Sequence, residues 1–128
     1  MKSYLLDSVI LIDHFNGRSE ATQFLLENSE SSSISVITRA EVLTGFDPVD
    51  EVKAKAFLSL FPIHQLTEED ADLAASLRRE HRWKLPDALQ AAVAINRQLT
   101  LATRNSKDFD PARHAFIDIP YLLNVNKS

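Results

Sequence analysis

Cysteine is absent from the 128 residues, and glycine occurs only twice, at Gly17 and Gly45. The first absence removes disulfide frameworks, thiolate nucleophiles and cysteine-based zinc sites, and it suits a reducing compartment. The second removes Walker loops and dinucleotide fingerprints, which need several glycines clustered at one strand-to-helix turn. No apolar run approaches the roughly 18 residues of a membrane span. The apolar amino terminus from Tyr4 to Ile12 is broken by Asp7 and closed by Asp13, unlike the core of a signal peptide. No serine lies in a Gly-x-Ser-x-Gly elbow, so triad hydrolysis has no support. The four histidines, His14, His64, His81 and His114, form no His-Glu-x-x-His motif and no i, i+4 pair, and read as surface or partly buried singletons. The expectation is a cytoplasmic chain, complete from Met1, with no membrane segment. A formal charge of −4 looks wrong for a nucleic-acid binder, because phosphate affinity comes largely from Lys and Arg.

What is present is an ordinary globular composition, 45% hydrophobic and 25% charged, with room for one domain and one core. Short apolar segments at Tyr4 to Leu6, Ile34 to Ile37, Ile63 to Leu66, Thr100 to Ala102 and Phe116 to Ile119 predict buried strands. Between them run helical stripes: Ala21, Phe24 and Leu25; Val52, Ala56 and Leu60; Leu73, Ala74 and Leu77; and Ala88, Ala91, Ala92 and Ile95. Strands alternating with helices argue for an α/β fold, a mainly parallel sheet with helices on both faces. Thr38 with Glu41 matches a capping box, Thr67 with Asp70 a weaker one, and Pro86 suits a first helical turn with Asp87 next. Gly45 suits the C-cap of the helix that Thr38 would open. Asn28 to Ser33 reads as a polar, serine-rich connection.

Four acids stand near these boundaries, and each has a local explanation. Asp7 ends the first strand and can cap the next helix. Glu41 belongs to the Thr38 box, Asp87 is a first-turn acid favoured by the helix dipole, and Asp108 is a turn residue after a strand. The topology adds a shared consequence. In a parallel sheet, every helix that follows a strand starts at the same carboxyl edge, so Asp7, Glu41 and Asp108 come to one rim, where Asp87 can join them. Four carboxylates at close range would raise one another's pKa values unless a divalent cation lay between them. Hard oxygen ligands suit Mg²⁺, with Mn²⁺ as a substitute, better than zinc. Ser8 and Thr103 adjoin this rim; their hydroxyls are either ordinary turn and capping groups or props for a carboxylate or a metal-bound water.

Four stretches carry a resemblance: Leu5-Leu6-Asp7-Ser8; Ile34 to Val42 with Gly45; Pro86-Asp87-Ala88-Leu89-Gln90-Ala91-Ala92; and Thr103-Arg104-Asn105-Ser106-Lys107-Asp108-Phe109. In order and spacing they resemble the PIN-domain family, and more closely its VapC-type toxins, over nearly the whole chain. The resemblance implies a single PIN-like domain over residues 1–128, an α/β/α sandwich, with magnesium-dependent endoribonuclease activity. It assigns the catalytic and metal-binding acids to Asp7, Glu41, Asp87 and Asp108. It also implies a small antitoxin that neutralises the nuclease, an RNA substrate and a homodimer. Val9, Ile12 and Phe15, or Phe57 and Phe61, could line the antitoxin's groove or simply pack in the core. Some relatives have Asp where this chain has Asn105, leaving Asn105 or Asp108 to complete the set. Two rival classes stay open: a catalytically silent PIN-like binding module, and a phosphoacceptor signalling domain.

Setting the four site acids aside leaves 14 Asp and Glu against 14 Lys and Arg. The scaffold is neutral, so the −4 equals the charge of the acidic site itself. Arg78, Arg79, Arg82 and Lys84 lead up to Asp87, and Arg104 and Lys107 flank Asp108. These six are the RNA-binding candidates, against the alternative of a solvated helix face and a basic loop.

Overall fold

A computed structural model of the chain describes residues 2–123. Twelve short elements follow one another: β1 (Tyr4–Leu6), α1 (Ser8–Phe15), α2 (Ser19–Glu27), a 3₁₀ turn (Ser29–Ser31), β2 (Ser32–Ser35), α3 (Val36–Thr44), α4 (Pro48–Leu58), β3 (Ile63–His64), α5 (Glu68–His81), α6 (Leu85–Asn96), β4 (Thr100–Ala102) and β5 (Ile117–Asp118). The strands make one parallel sheet in the order β3-β2-β1-β4-β5. Two apolar cores cover its faces. One is built from α5, α6 and the residues around Trp83 and Phe109; the other is built from α1 to α4 around Leu6, Ile10 and Phe24. This is the expected α/β/α sandwich, with all five strands near their predicted positions.

Its order reverses beside β1, where the connection to β2 leaves on one side and β4 pairs on the other. Ligand crevices in open parallel sheets form at such a point, outside the carboxyl ends of the strands. Tyr4 to Leu6 pair with Thr100 to Ala102 residue for residue. Asp7 and Thr103 therefore leave the sheet side by side.

Several local readings need correction. Strand β2 begins at Ser32, inside the stretch read as a polar loop, and ends at Ser35 rather than Ile37. Its buried serines are accommodated because each hydroxyl is spent: Ser32 on the Asn28 carbonyl, Ser33 on the Tyr4 carbonyl, and Ser35 on Gln90. Helix α3 is consequently capped by Ser35, whose Oγ accepts from the Ile37 and Thr38 amides, so the Thr38–Glu41 capping box does not form. Helix α4 buries a different face from the one its expected stripe marks. Val52 and Leu60 are about 70% exposed, at 69% and 73%, while Ala54, Phe57, Leu58 and Phe61 turn inward. In α6 the alanines are buried as expected, but Ile95 is exposed, and the helix starts at Leu85 with Pro86 second. The Thr67–Asp70 box, by contrast, forms completely.

Two buried acids away from the rim hold the layers together. Asp70 accepts from both terminal guanidinium nitrogens of Arg97, at 2.9 and 3.0 Å, from Asn96 at 2.9 Å and from the Thr67 amide at 3.0 Å. The start of α5 is thereby fastened to the end of α6. Although burial pushes the Asp70 carboxyl up, these donors outweigh it and hold the group well below the usual carboxylate range. Asp13 on α1 takes a bidentate bond from Arg104, at 2.6 and 2.8 Å, and a third from the Tyr121 hydroxyl at 2.8 Å.

Candidate active site

Asp7 is positioned by the backbone before its side chain is considered. It ends β1, its amide donates to the Ala102 carbonyl at 2.9 Å, and its Oδ1 accepts from the Ser8 amide at 2.9 Å to cap α1. The capping role and the site role are thus the same geometry. Oδ2 takes a 2.6 Å hydrogen bond from the buried Thr103 hydroxyl. A longer contact of 3.5 Å reaches Oδ1 from the Gln90 amide. Burial pushes the Asp7 carboxyl up, and the bonds from Thr103, Ser8 and Gln90 oppose it.

Glu41 lies on α3, one to two turns beyond the end of β2. Its Oε1 accepts from the Ser8 hydroxyl at 2.8 Å, leaving the second carboxylate oxygen outside that bond. Asp108 sits in the loop after β4, where Asn105 Nδ2 donates to its Oδ2 at 3.1 Å and its amide approaches Asn105 Oδ1 at 3.4 Å. Asn105 is in turn anchored through its own amide to the Thr103 hydroxyl at 3.0 Å. Ser8, Thr103 and Asn105 therefore each brace a carboxylate, the first two by direct hydroxyl donation.

Asp87, in the first turn of α6, joins these three. Its carboxyl is pushed up to about 6, first by burial and then by the charges of Asp7, Asp108 and Glu41, against a smaller opposing pull from Lys84. Each of the other three acids is close enough to disfavour ionisation of this one, so sheet topology has gathered residues up to about a hundred positions apart. Among the described residues, no group of three or more His, Asp or Glu side chains is arranged to hold a metal ion.

Gln90 was missed by the sequence reading. It lies one turn beyond Asp87, is 1% exposed, and joins three elements: its Oε1 accepts from Ser35 at 2.6 Å and its Nε2 donates to Thr38 at 2.6 Å. The Thr38 hydroxyl in turn donates to the Leu6 carbonyl at 2.9 Å. These bonds fix the ends of β1 and β2 to α6, next to Asp7. The available signal was a lone amide inside the apolar run from Ala88 to Ala94, since a buried polar group is bonded or costly.

The cationic candidates divide. Arg104 is not free for phosphate, because both oxygens of Asp13 hold its guanidinium. Arg78 donates through Nε to the Trp83 carbonyl at 3.0 Å. Arg82 caps the end of α5 in the left-handed region, with φ of 61°, and Lys84 occupies the N-cap of α6. Arg79, Arg82, Lys84 and Lys107 are solvent-exposed. The histidines are half-buried, but two are not singletons: the His81 and His114 rings lie 4.9 Å apart, and His81 stacks on Trp83 at 4.4 Å.

The PIN domain profile matches residues 4–114. The chain belongs to the PIN-domain family. Ribonuclease VapC19 of Mycobacterium tuberculosis is 31% identical over 113 residues, covering 82% of this chain and 90% of the relative. A solved toxin-antitoxin complex from Klebsiella pneumoniae contains a chain with 39% identity and a TM-score of 0.86, covering 93% of this chain and 98% of that one. A DNA-bound VapBC from Salmonella typhimurium shares the fold at 21% identity, with a TM-score of 0.74 over 86% of this chain and 92% of its own. In this PIN domain the charges of Asp7, Asp108 and Glu41 all act on Asp87.

Proposed function

We propose that this PIN domain is a divalent-metal-dependent endoribonuclease and the toxin of a toxin–antitoxin pair. The observation that carries the reading is the state of Asp87: its carboxyl responds to Asp7, Glu41 and Asp108 together, so four acids share one electrostatic neighbourhood. Such a donor set is all hard oxygen and lacks nitrogen or sulfur, which fits magnesium or manganese. Asp7 and Asp87 would hold the ion, with Asp108 completing the set directly or through water. A bound divalent ion supplies Lewis-acid activation of a water and neutralises charge on the scissile phosphate. Glu41, steadied through Oε1 by Ser8, has its other oxygen available to orient the attacking water and take its proton. Thr103 and Gln90 keep Asp7 from rotating away.

The toxin role draws on the relatives, one of them a ribonuclease by name and another a chain of a toxin-antitoxin complex. An apolar groove of about 180 Å³ between α2 and α4, lined by Leu25, Leu26, Phe57, Leu60 and Phe61, supports an antitoxin partner. Leu26 and Leu60 are 71% and 73% exposed there, whereas Phe57 and Phe61 pack toward the core. Among the described residues no helix is long and apolar enough to cross a membrane, and a cytoplasmic homodimer is part of the proposal.

The test is cleavage of RNA by the purified chain with magnesium. Asp7→Asn and Asp87→Ala are expected to abolish cleavage while circular dichroism stays native, and EDTA to abolish it in the unaltered protein. Full activity after any of these treatments would refute the metal mechanism. Tight RNA binding without turnover would favour the silent binding module.

A further inference from the structure

Beside the acids opens a second concavity, a cleft of about 420 Å³ that the proposed chemistry does not use except through Asp108 on its wall. Its base is aromatic. Trp83, only 5% exposed, donates through Nε1 to the Asp108 carbonyl at 2.9 Å and so ties the cleft to the acidic loop. His81 stacks on Trp83 with ring planes 23° apart, and His114 stands edge-on to both, at 4.9 Å from His81 and 5.1 Å from Trp83. Around these half-buried rings, Arg82, Lys107 and Arg113 are exposed and lie in the same lining. Among the described residues none of these three is in an ion pair, unlike Arg97 and Arg104, which are committed to buried acids.

We propose that this cleft is a base-binding subsite, which takes one unstacked nucleotide of the RNA strand next to the bond being cut. The inference rests on the ribonuclease reading for its substrate class, and its own support is the lining. Single-stranded RNA is read by flat side chains that stack on splayed bases and by polar groups that meet their edges. Here two imidazoles supply flat rings with polar edges, and three cations stand where a phosphate backbone would pass. Glu80 and Asp110, also in the lining, can accept from exocyclic amines and would repel the carboxylates of an acidic peptide. The volume falls within the roughly 300–1,000 Å³ of small-ligand pockets, enough for one nucleotide.

Trp83 is the only tryptophan in the chain, so its emission reports on the cleft. The protein is titrated in EDTA with each 5′-mononucleotide, with inorganic phosphate and with a polyglutamate peptide. The expected result is a saturable emission change with nucleotides that ranks them by base, with phosphate and peptide far weaker. Arg113→Ala should weaken nucleotide binding about three- to tenfold, the loss of one charge-assisted contact at a wet site. Lys53→Ala, on exposed α4, should leave it unchanged. In magnesium-dependent cleavage, Arg113→Ala should raise KM by a similar factor with kcat retained, and alter the base preference beside the cut. No saturable response, equal responses to phosphate and nucleotides, or tighter binding of the peptide would each overturn the subsite. Cleavage that proceeds with unchanged KM and base preference in Arg113→Ala overturns it while the nuclease reading stands. Nucleotide binding in a protein that cleaves no RNA refutes the nuclease reading instead.

Discussion

Replacing Thr103 by valine tests whether the acidic site is held by its neighbours or merely adjoins them. Valine keeps the shape of the buried side chain and removes only the hydroxyl, which serves two partners: it donates to Asp7 Oδ2 at 2.6 Å and accepts from the Asn105 amide at 3.0 Å. The first is a charge-assisted bond to a carboxylate that is 6% exposed, and loss of its donor costs about 1.5–3 kcal/mol. The second, from the part-buried Asn105 amide, adds up to about 1 kcal/mol. A net loss of about 1.5–4 kcal/mol is thus expected in urea denaturation at pH 7 in EDTA, within the roughly 5–15 kcal/mol of a typical domain. RNA cleavage should fall about 10- to 100-fold, the usual effect of removing a group that orients a ligand. Thr103→Ser, which restores the hydroxyl, should recover most of both. The decisive comparison is a double-mutant cycle with Asp7→Asn, in which the two costs should couple by more than about 1 kcal/mol. Strict additivity, or a valine variant within about 0.5 kcal/mol of the parent, would refute the claim that Thr103 holds Asp7.

Other expectations concern the scaffold. Because the Asp70 carboxyl is held below its unfolded value, it contributes stability in full above about pH 4, which is lost as pH falls through the folded value. Acid titration of Asp70→Asn against the parent should therefore show a stability gap that is widest at neutral pH and narrows below pH 4; a gap constant from pH 7 to pH 2 would contradict the assignment. Arg104→Ala leaves Asp13, 4% exposed, with only the Tyr121 hydroxyl, and should cost about 2–4 kcal/mol, discounted from a fully buried pair because the Arg104 side chain is 29% exposed. Arg104→Lys should rescue little of this, since an ammonium cannot reproduce the two-point contact, and full recovery of the melting temperature by lysine would show that charge alone suffices.

Much of this molecule is legible in its order of residues. Short β-prone runs separated by helical stripes specify a parallel α/β sheet, because each periodicity suits one kind of element and the alternation leaves few topologies. Asp7, Glu41, Asp87 and Asp108 could be picked out for a related reason: each follows a strand or opens a helix, and a parallel sheet brings those boundaries to one edge. Local misreadings arose where burial overrode composition. Ser32 and Ser33 look like loop yet form half of β2, and Ser35 ends that strand and caps α3; the hydroxyls of Ser33 and Ser35 find their partners only once β1 and α6 lie alongside. The expected stripe on α4 is as apolar as the buried one, and only the packing of α1 and α3 against it selects Ala54, Phe57 and Leu58.

Partnership between distant side chains belongs wholly to the third dimension. Arg104 seemed available for RNA until Asp13, 91 residues away, was found to hold it, and Gln90 seemed an ordinary helix residue until it met Ser35 and Thr38 across 55 and 52 positions. His81, Trp83 and His114 share no motif, and form one cluster only because the loop after β4 folds back on the end of α5. The physical reason is range. Periodicity and capping act over a few residues and are written locally, whereas a charge's pairing, a carboxyl's pKa and the lining of a cleft depend on which strands are neighbours. The order β3-β2-β1-β4-β5 settles that, placing Asp7 beside Thr103 and bringing Asp7, Glu41 and Asp108 within electrostatic reach of Asp87.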